Sequence, residues 1–443
     1  MARRRVRVPL DVYLNGRLVG KLRREGSGAV DFQYAPEWLD WENAIQVSLS
    51  LPLREDRFIG EPVIAVFDNL LPDNQDIRHR LAERAQADGT DVYSLLAAIG
   101  RDCIGALQFI PEGTPVAPVG TIEGKRLSSK EIGALLGDLK RSPLGIGADQ
   151  DFRISLAGAQ EKTALLYWND AWYLPHGTTP TTHIFKPQIG RLSGGIDLSE
   201  SVENEHLCMK LVEAFGLPVA RSKIVDFAGH RTLVVERFDR LWTRDERLLR
   251  IPQEDCCQAL GIPSVRKYES DGGPGVRTIL KLLKGSDTPE ADQRRFLKAQ
   301  IVFWLLSATD GHAKNFSLRL APGGRFMLAP LYDVLSTQPM FDAGQIQKKK
   351  WKLSMAVGRQ RHYEEHMVQP RHYLQTAKLC GVQEKLVFEI FDELIAASGS
   401  AVDSALNSLP RNFPSKLVSS IVTGMKGRLG LLADFTKDAV KTV

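Results

Sequence analysis

The sequence predicts an α+β fold of two lobes, with a β-rich subdomain in front and helices concentrated behind. Three stretches carry that prediction. Val6, Val8, Leu10, Val12 and Leu14 alternate along one strand face and run into Asn15-Gly16, the strongest short hairpin signal. Phe296, Gln300, Phe303 and Trp304 recur at helical spacing, and Ile301 to Ala308 is apolar nearly all round, so this helix is expected to be buried. Beyond residue 384 the pairs Leu386/Val387, Ile390/Phe391 and Leu394/Ile395, then Leu417/Val418 and Ile421/Val422, form the core stripes of a helical lobe. The organisation expected is a β-rich subdomain over 1–110, a linker over 111–127, a strand-containing lobe over 128–240 and a helical lobe over 241–443.

Composition bounds the chemistry. The 443 residues suffice for two or three domains, and 43% apolar with 25% charged is ordinary for a globular chain that buries its own cores. A net charge of +5 permits contact with nucleic acid without requiring it. The five cysteines (Cys103, Cys208, Cys256, Cys257, Cys380) include no pair at metal-ligand spacing. Adjacent Cys256 and Cys257 suit neither zinc nor an ordinary disulfide, so free thiols in a reducing compartment are expected. No apolar leader core follows the basic Met1 to Val6 stretch, and no run approaches the length of a membrane span. A cytoplasmic location with no membrane partner is the expectation.

In chain order, Arg17 to Leu22 is the return arm of the first hairpin, and Ile45 to Leu53 alternates loosely. Val63 to Leu71 reads as a buried helix stopped by Pro72. Asp73 to Ala85 reads as a charged exposed helix, Val92 to Ile99 as a short helix and Cys103 to Ile110 as a strand. Residues 111–127 are rich in Pro, Gly, Thr and Val and read as a linker. Ser128 caps a helix with Glu131 in its first turn, running to about Leu139. Strands follow at Thr163 to Trp168 and Ala171 to Leu174, then a β-branched strand, Thr182 to Pro187, carrying Lys186. A helix over 199–215 closes at Gly216. Lys223 to Phe227 and Thr232 to Phe238 are strands, and 250–275 is a polar loop of a length that is often functional. Ala291 to Thr309 is expected as one helix.

That helix delivers Asp310. Asn315 stands five residues on and Asp333 eighteen beyond that. Such a set is the polar kit of phosphoryl transfer: one carboxylate takes a hydroxyl proton, while the asparagine and the second aspartate hold magnesium on ATP. Alone the match is cheap, since roughly one Asp-x-x-x-x-Asn arises by chance in a chain this long. Order strengthens it. Ala157-Gly158-Ala159 is a loop of small residues between strands, suited to phosphates or to an ordinary tight turn. Lys186 ends a strand, and Glu203 and Glu205 lie in the first turns of the next helix. They read as a kinase lysine–glutamate pair, or as a surface lysine and acids near a positive helix end. The strand Thr232 to Phe238 reads as one that leads into a hinge in a nucleotide pocket, or as just a buried strand with a polar end. These parts occur in kinase order, which points to a two-lobed kinase-like fold. The ordinary Gly-rich signature and Asp-Phe-Gly are absent, and Leu331-Tyr332-Asp333 puts the aromatic before the acid. Basic stretches at 348–352 and 359–363 suit nucleic-acid phosphates or a solvated loop equally.

Several long stretches together resemble the HipA family of serine/threonine kinase toxins. They are Phe152 to Lys162, Thr179 to Lys186, Val235 to Arg240, Lys267 to Gly275 and Ala308 to Asn315, with Tyr34 to Leu39 and Phe67 to Asp73 near the front. The resemblance spans nearly the whole chain. It implies Asp310 as catalytic base, Asn315 and Asp333 as magnesium ligands, and Lys186 at the phosphates of ATP. It further implies Ala157, Gly158, Ala159, Gln160, Glu161 and Lys162 as the phosphate loop, and Glu236, Arg237 and Phe238 as the adenine hinge. His312, Ala313, Lys314 and Tyr332 are expected near the nucleotide; His312 stands where ordinary protein kinases carry a lysine. Ser155 matches the family's autophosphorylated serine, an off-switch, and Glu205 is preferred over Glu203 as partner of Lys186. The implied cofactors are ATP and Mg2+. The implied partners are a HipB-like helix-turn-helix antitoxin, operator DNA through the complex, and glutamyl-tRNA synthetase as substrate. Lys378 matches a family DNA contact, whereas Gly381 stands where the family has an arginine. A catalytically silent corepressor and a lipid or small-molecule kinase are the alternatives.

Overall fold

The computed structural model describes residues 8–146, 153–158, 160–192 and 194–441; Val6 and Ala159 lie outside these. The chain divides into two compact units. One comprises Met1–Pro187, Val225–Val265 and Leu318–Phe326, the other Gln188–Ile224, Arg266–Ser317 and Met327–Val443.

The first unit opens with an antiparallel five-stranded sheet in the order Phe58–Ile59, Val30–Tyr34, Arg17–Arg24, Leu10–Leu14, Leu107–Pro111. Asn15 and Gly16 turn the first hairpin with φ of 45° and 78°, and Leu14 pairs with Arg17 as expected. Phe67, on helix Glu61–Asp68, meets Phe32 and Phe109 of the sheet edge-on at 5.6 and 5.2 Å. Each such fully buried side chain contributes about 1.5–3 kcal/mol.

Local details depart from the sequence expectation. Helix Glu61–Asp68 stops short of Leu71 because Asn69 Nδ2 takes the Ala65 carbonyl at 2.6 Å and the Ile262 carbonyl at 2.9 Å. The next helix, Gln75–Arg84, is capped by Asn74 and buries Ile77, Arg78, Leu81 and Ala82, so it is amphipathic rather than exposed. Ile45 to Leu53 forms no strand beyond a single bridge, Ser48 to Leu51. It folds over the buried Glu254, which accepts from Ser48 Oγ (2.5 Å) and Leu49 N (2.8 Å). Burial pushes that carboxyl up to about 8.

The unit's second sheet runs Ser222–Phe227, His230–Glu236, His183–Pro187, Thr163–Trp168, Ala171–Pro175, Gly124–Leu127. Its last strand lies within the stretch read as a linker. Helix Ser129–Gly137 follows, with the Ser128–Glu131 capping box. The region expected as an open polar loop from 250 contains strand Gln253–Asp255 and the short helix Cys256–Ala259. Asp255 and Gln258 cap that helix reciprocally, and both cysteines are buried. All five cysteines are free thiols.

The second unit is mostly helical: Ser201–Ala214, Val276–Leu283, Pro289–Leu305, Pro370–Leu379, Glu384–Asn407 and Ser415–Lys441. The last two bury Val387, Ile390, Phe391 and Leu394, and Leu417 and Ile421, from the stripes read from the sequence, with Leu386, Ile395, Val418 and Val422 half-buried; Met425 and Leu432 extend the buried face. Helix Pro289–Leu305 is buried through Leu305 but does not reach Thr309. Ser307 takes φ 49°, a left-handed conformation that ends the helix. Among the described residues no helix is long and apolar enough to cross a membrane.

Candidate active site

In the second unit, the end of helix Pro289–Leu305 is where the catalytic candidates converge. A helix leaves its last carbonyls without intrahelical partners, and here they are buried. Each is met by a specific donor. The Leu305 carbonyl accepts from Arg428 Nε (3.0 Å), that of Leu306 from Ser336 Oγ (2.6 Å), and that of Ser307 from Thr337 N and Oγ1 (both 2.9 Å). Ser336 N in turn donates to Asn204 Oδ1 (2.9 Å), which anchors helix Ser201–Ala214. Ser307 Oγ donates to Glu365 Oε1 (3.0 Å), and Arg428 Nη1 holds the same carboxylate at 2.8 Å. Burial pushes the Glu365 carboxyl up, and Arg428 and Ser307 oppose that shift. The backbone leading to Asp310 and the backbone leaving Asp333 are therefore fastened to one helix terminus. Ser336→Ala is expected to cost about 1–3 kcal/mol by stranding the Leu306 carbonyl. Denaturant unfolding of the pure variant measures this.

Beyond the helix end the loop closes on itself. His312 N donates to the Asp310 carbonyl at 2.8 Å, and Asn315 Nδ2 donates to the same oxygen at 2.9 Å. Asn315, His312 and Lys314 are buried, while Asp310 is exposed. Tyr332 OH donates to the Lys314 carbonyl (2.7 Å) and lies 2.6 Å from Ser317 Oγ, tying the residue before Asp333 to the residue before Asn315. Asp333 is exposed and takes φ 60°, a conformation that aspartate tolerates better than most residues. Among the described residues no group of three or more His, Cys, Asp or Glu could hold a metal ion. An asparagine and an aspartate instead suit a magnesium ion that shares its remaining ligands with substrate phosphates and water.

The nucleotide candidates of the first unit sit on its second sheet. Lys186 is buried and shares a face with Ile184, Ala164, Leu233 and Val235, because paired residues on neighbouring strands point to the same side. Sequence reasoning singled out the lysine but missed this apolar platform, whose signal was the period-two alternation of the strands. A Cβ built on Gly158 (φ 105°) would lie 2.5 Å from Lys162 Nζ, so the ammonium packs against bare backbone. That arrangement fits phosphate oxygens approaching both. Gln160 Nε2 donates to the Pro187 carbonyl (3.2 Å), and Glu161 is paired with Arg80 (2.8 Å). Ser155 is fully buried, and its Oγ donates to the Leu70 carbonyl at 2.7 Å.

The hinge candidate rests on a buried ionic cluster. Arg237 Nε and Nη2 take Asp239 at 3.0 and 2.7 Å, Arg240 Nη2 takes Asp102 at 2.8 Å, and Arg250 Nε takes Asp102 at 2.9 Å. Thr181 adds its N–H and hydroxyl to Asp102 at 3.0 and 2.7 Å. Burial pushes the Asp102 carboxyl up, but Arg240, Arg250 and Arg237 outweigh it and hold it below the usual carboxylate range. The Arg237 side chain is thus committed to the cluster, while Glu236 is exposed and Phe238 half-buried beside it.

Of the remaining candidates, Glu203 accepts from Gln188 Nε2 at 2.6 Å in the second unit, and Glu205 is buried on the same helix. Lys378 is exposed on helix Pro370–Leu379, 3.5 Å from Glu384.

The chain is similar to known proteins along most of its length. Residues 154–402 match the HipA-like C-terminal domain and residues 10–110 the HipA N-terminal domain. A Sinorhizobium fredii chain described as a "putative kinase" is 35% identical over 401 residues, 90% of this chain and 91% of that one. The serine/threonine-protein kinase toxin HipA of Shewanella oneidensis is 27% identical over 79% of this chain and 78% of its own length. A solved Shewanella oneidensis MR-1 structure, the toxin–antitoxin complex of HipA, HipB and operator DNA, superposes with a TM-score of 0.78. Sequence identity is 23%, over 97% of this chain and 99% of that one.

Proposed function

The chain belongs to the HipA family of kinases, and we propose that it transfers the γ-phosphate of ATP to a serine or threonine hydroxyl of a protein, as the toxin of a toxin–antitoxin pair. The observation that carries this reading is the shared anchorage of Asp310, Asn315 and Asp333 on one buried helix end. Asp310 accepts the acceptor hydroxyl's proton, and Asn315 and Asp333 are the residues that would hold magnesium. Lys186 and Lys162 meet the nucleotide phosphates, the backbone of Glu236 to Phe238 pairs with adenine, and Ile184, Ala164 and Val235 pack against the ring. Magnesium, when bound, neutralises charge on the transferring phosphoryl group. Most of the acceleration comes from positioning and preset electrostatics.

On this reading the physiological acceptor is a translation protein, glutamyl-tRNA synthetase. The Shewanella HipA structure, which holds HipB and operator DNA, supports a HipB-type antitoxin and operator DNA as partners. ATP labelled in the γ position, offered with synthetase, lipid and small-molecule acceptors, tests the acceptor class. Label on a synthetase serine is expected, and label confined to lipid or metabolite overturns it.

Ser155 serves as the off-switch. Its hydroxyl has no solvent exposure and is held by the Leu70 carbonyl, so modification requires the 153–158 segment to leave. A phosphate of charge near −2 cannot return to that closed site facing a carbonyl. Wild type is expected to lose activity during prolonged incubation with ATP, while Ser155→Ala keeps it. Equal time courses contradict the switch.

A further inference from the structure

We infer that Tyr268 is a positioning residue for the Asp310 carboxylate, built into a loop whose shape serves that contact. This deepens the kinase reading above and rests on Asp310 being the base.

Tyr268 OH donates to Asp310 Oδ1 at 2.9 Å. The two residues are 42 positions apart, so the contact is tertiary rather than local. Two further contacts fasten the same segment to the catalytic loop. The Lys267 carbonyl accepts from Ala313 N at 3.4 Å, and the Tyr268 ring stands edge-on to His312 with centroids 5.0 Å apart.

The loop behind Tyr268 is fixed in shape. Gly273 N donates to the Tyr268 carbonyl (2.9 Å), and a Cβ on Gly273 would fall 1.9 Å from the Arg266 carbonyl oxygen. A Cβ on Gly275 would fall 2.2 Å from the Glu269 carboxyl carbon. Glu269 is anchored by Ala356 N (2.6 Å) and Arg361 Nη2 (3.1 Å). Strand Lys352–Val357, which carries Ala356, is itself bound to the residue before the base, since Ser354 N and Oγ both donate to the Thr309 carbonyl (2.9 and 2.7 Å). The loop and Asp310 therefore share one frame, and the tyrosine hydroxyl is held at the carboxylate.

A hydroxyl donor on one carboxylate oxygen restricts the rotation of the group and leaves the other oxygen to take the proton. Tyr268→Phe deletes that donor and keeps the ring on His312.

The test compares wild type, Tyr268→Phe, Asp310→Asn and the double variant by steady-state phosphoryl transfer and thermal melting. Tyr268→Phe is expected to lower kcat about 10-fold or more, with KM for ATP and the melting temperature unchanged. In the Asp310→Asn background the same substitution is expected to have no further effect, because the hydroxyl acts only through the carboxylate. Wild-type kcat in Tyr268→Phe, or an equal loss in both backgrounds, overturns the inference. A rise in kcat also overturns it, since the hydroxyl would then be occupying the acceptor's place. Full activity of Asp310→Asn is a separate outcome that removes the parent reading itself.

Discussion

Asp102→Ala is expected to destabilise the first unit by about 3–5 kcal/mol, the scale for removing one partner of a buried ionic group. Asp102 is the carboxylate shared by Arg240, Arg250 and Arg237, all with buried guanidinium groups. Among the described residues one other acid, Asp239, stands in the cluster, and it serves Arg237 and Arg240. Truncation at 102 leaves Arg250 without its carboxylate, Thr181 without its acceptor, and more positive charge without access to water. The melting midpoint should fall by roughly 6–20 °C. The pH dependence has a definite sign. A carboxyl held below its ordinary value contributes stability that is present above the unfolded value of about 3.9 and is lost as the pH falls through the folded one. Wild type should therefore lose this contribution in acid, and Asp102→Ala should show a flatter acid limb in melts taken across that range. An unchanged midpoint at neutral pH would remove the cluster as the support of the hinge.

Asp310→Asn is expected to reduce phosphoryl transfer by about 10²–10⁴-fold while nucleotide affinity stays within a few-fold. The substitution keeps the volume and leaves the carbonyl that Asn315 Nδ2 and His312 N use, so the loop should persist. What it removes is the proton acceptor. Asn315→Ala would act differently, since it deletes both a proposed metal ligand and the tie to that carbonyl. For this reason the aspartate is the cleaner probe of chemistry.

How much of this was readable in the sequence follows from how far apart the interacting residues lie. The Asp310–Asn315 loop is contiguous, with Asn315 and His312 bonded to the Asp310 carbonyl, so the spacing raised it as a candidate and the order of the surrounding parts strengthened it. Lys186 and the 236–238 segment were raised as candidates by their order along the chain, and the helix stripes beyond residue 384 were legible from periodicity. Tyr268 went unassigned because its tie to Asp310 spans 42 positions, across helices Val276–Leu283 and Pro289–Leu305. Arg428 went unassigned because it reaches Leu305 from 123 residues away. The Asp102 cluster joins that carboxylate to arginines 135 to 148 positions away and has no periodic signature. The helix before Asp310 was read too long because an apolar run carries no mark of the left-handed turn at Ser307, which side chains from Thr337 and Glu365 hold in place.

The central claim is phosphoryl transfer from ATP by the Asp310, Asn315 and Asp333 set. Its most direct measurement follows γ-labelled ATP on one purified sample, with nucleotide binding by calorimetry and label incorporation into protein recorded together. Saturable binding with magnesium, label on serine in the wild type, and binding without label in Asp310→Asn are the expected results. Wild-type protein that binds ATP and transfers no phosphate to itself or to any offered acceptor would contradict it, and would leave a nucleotide-binding corepressor in its place.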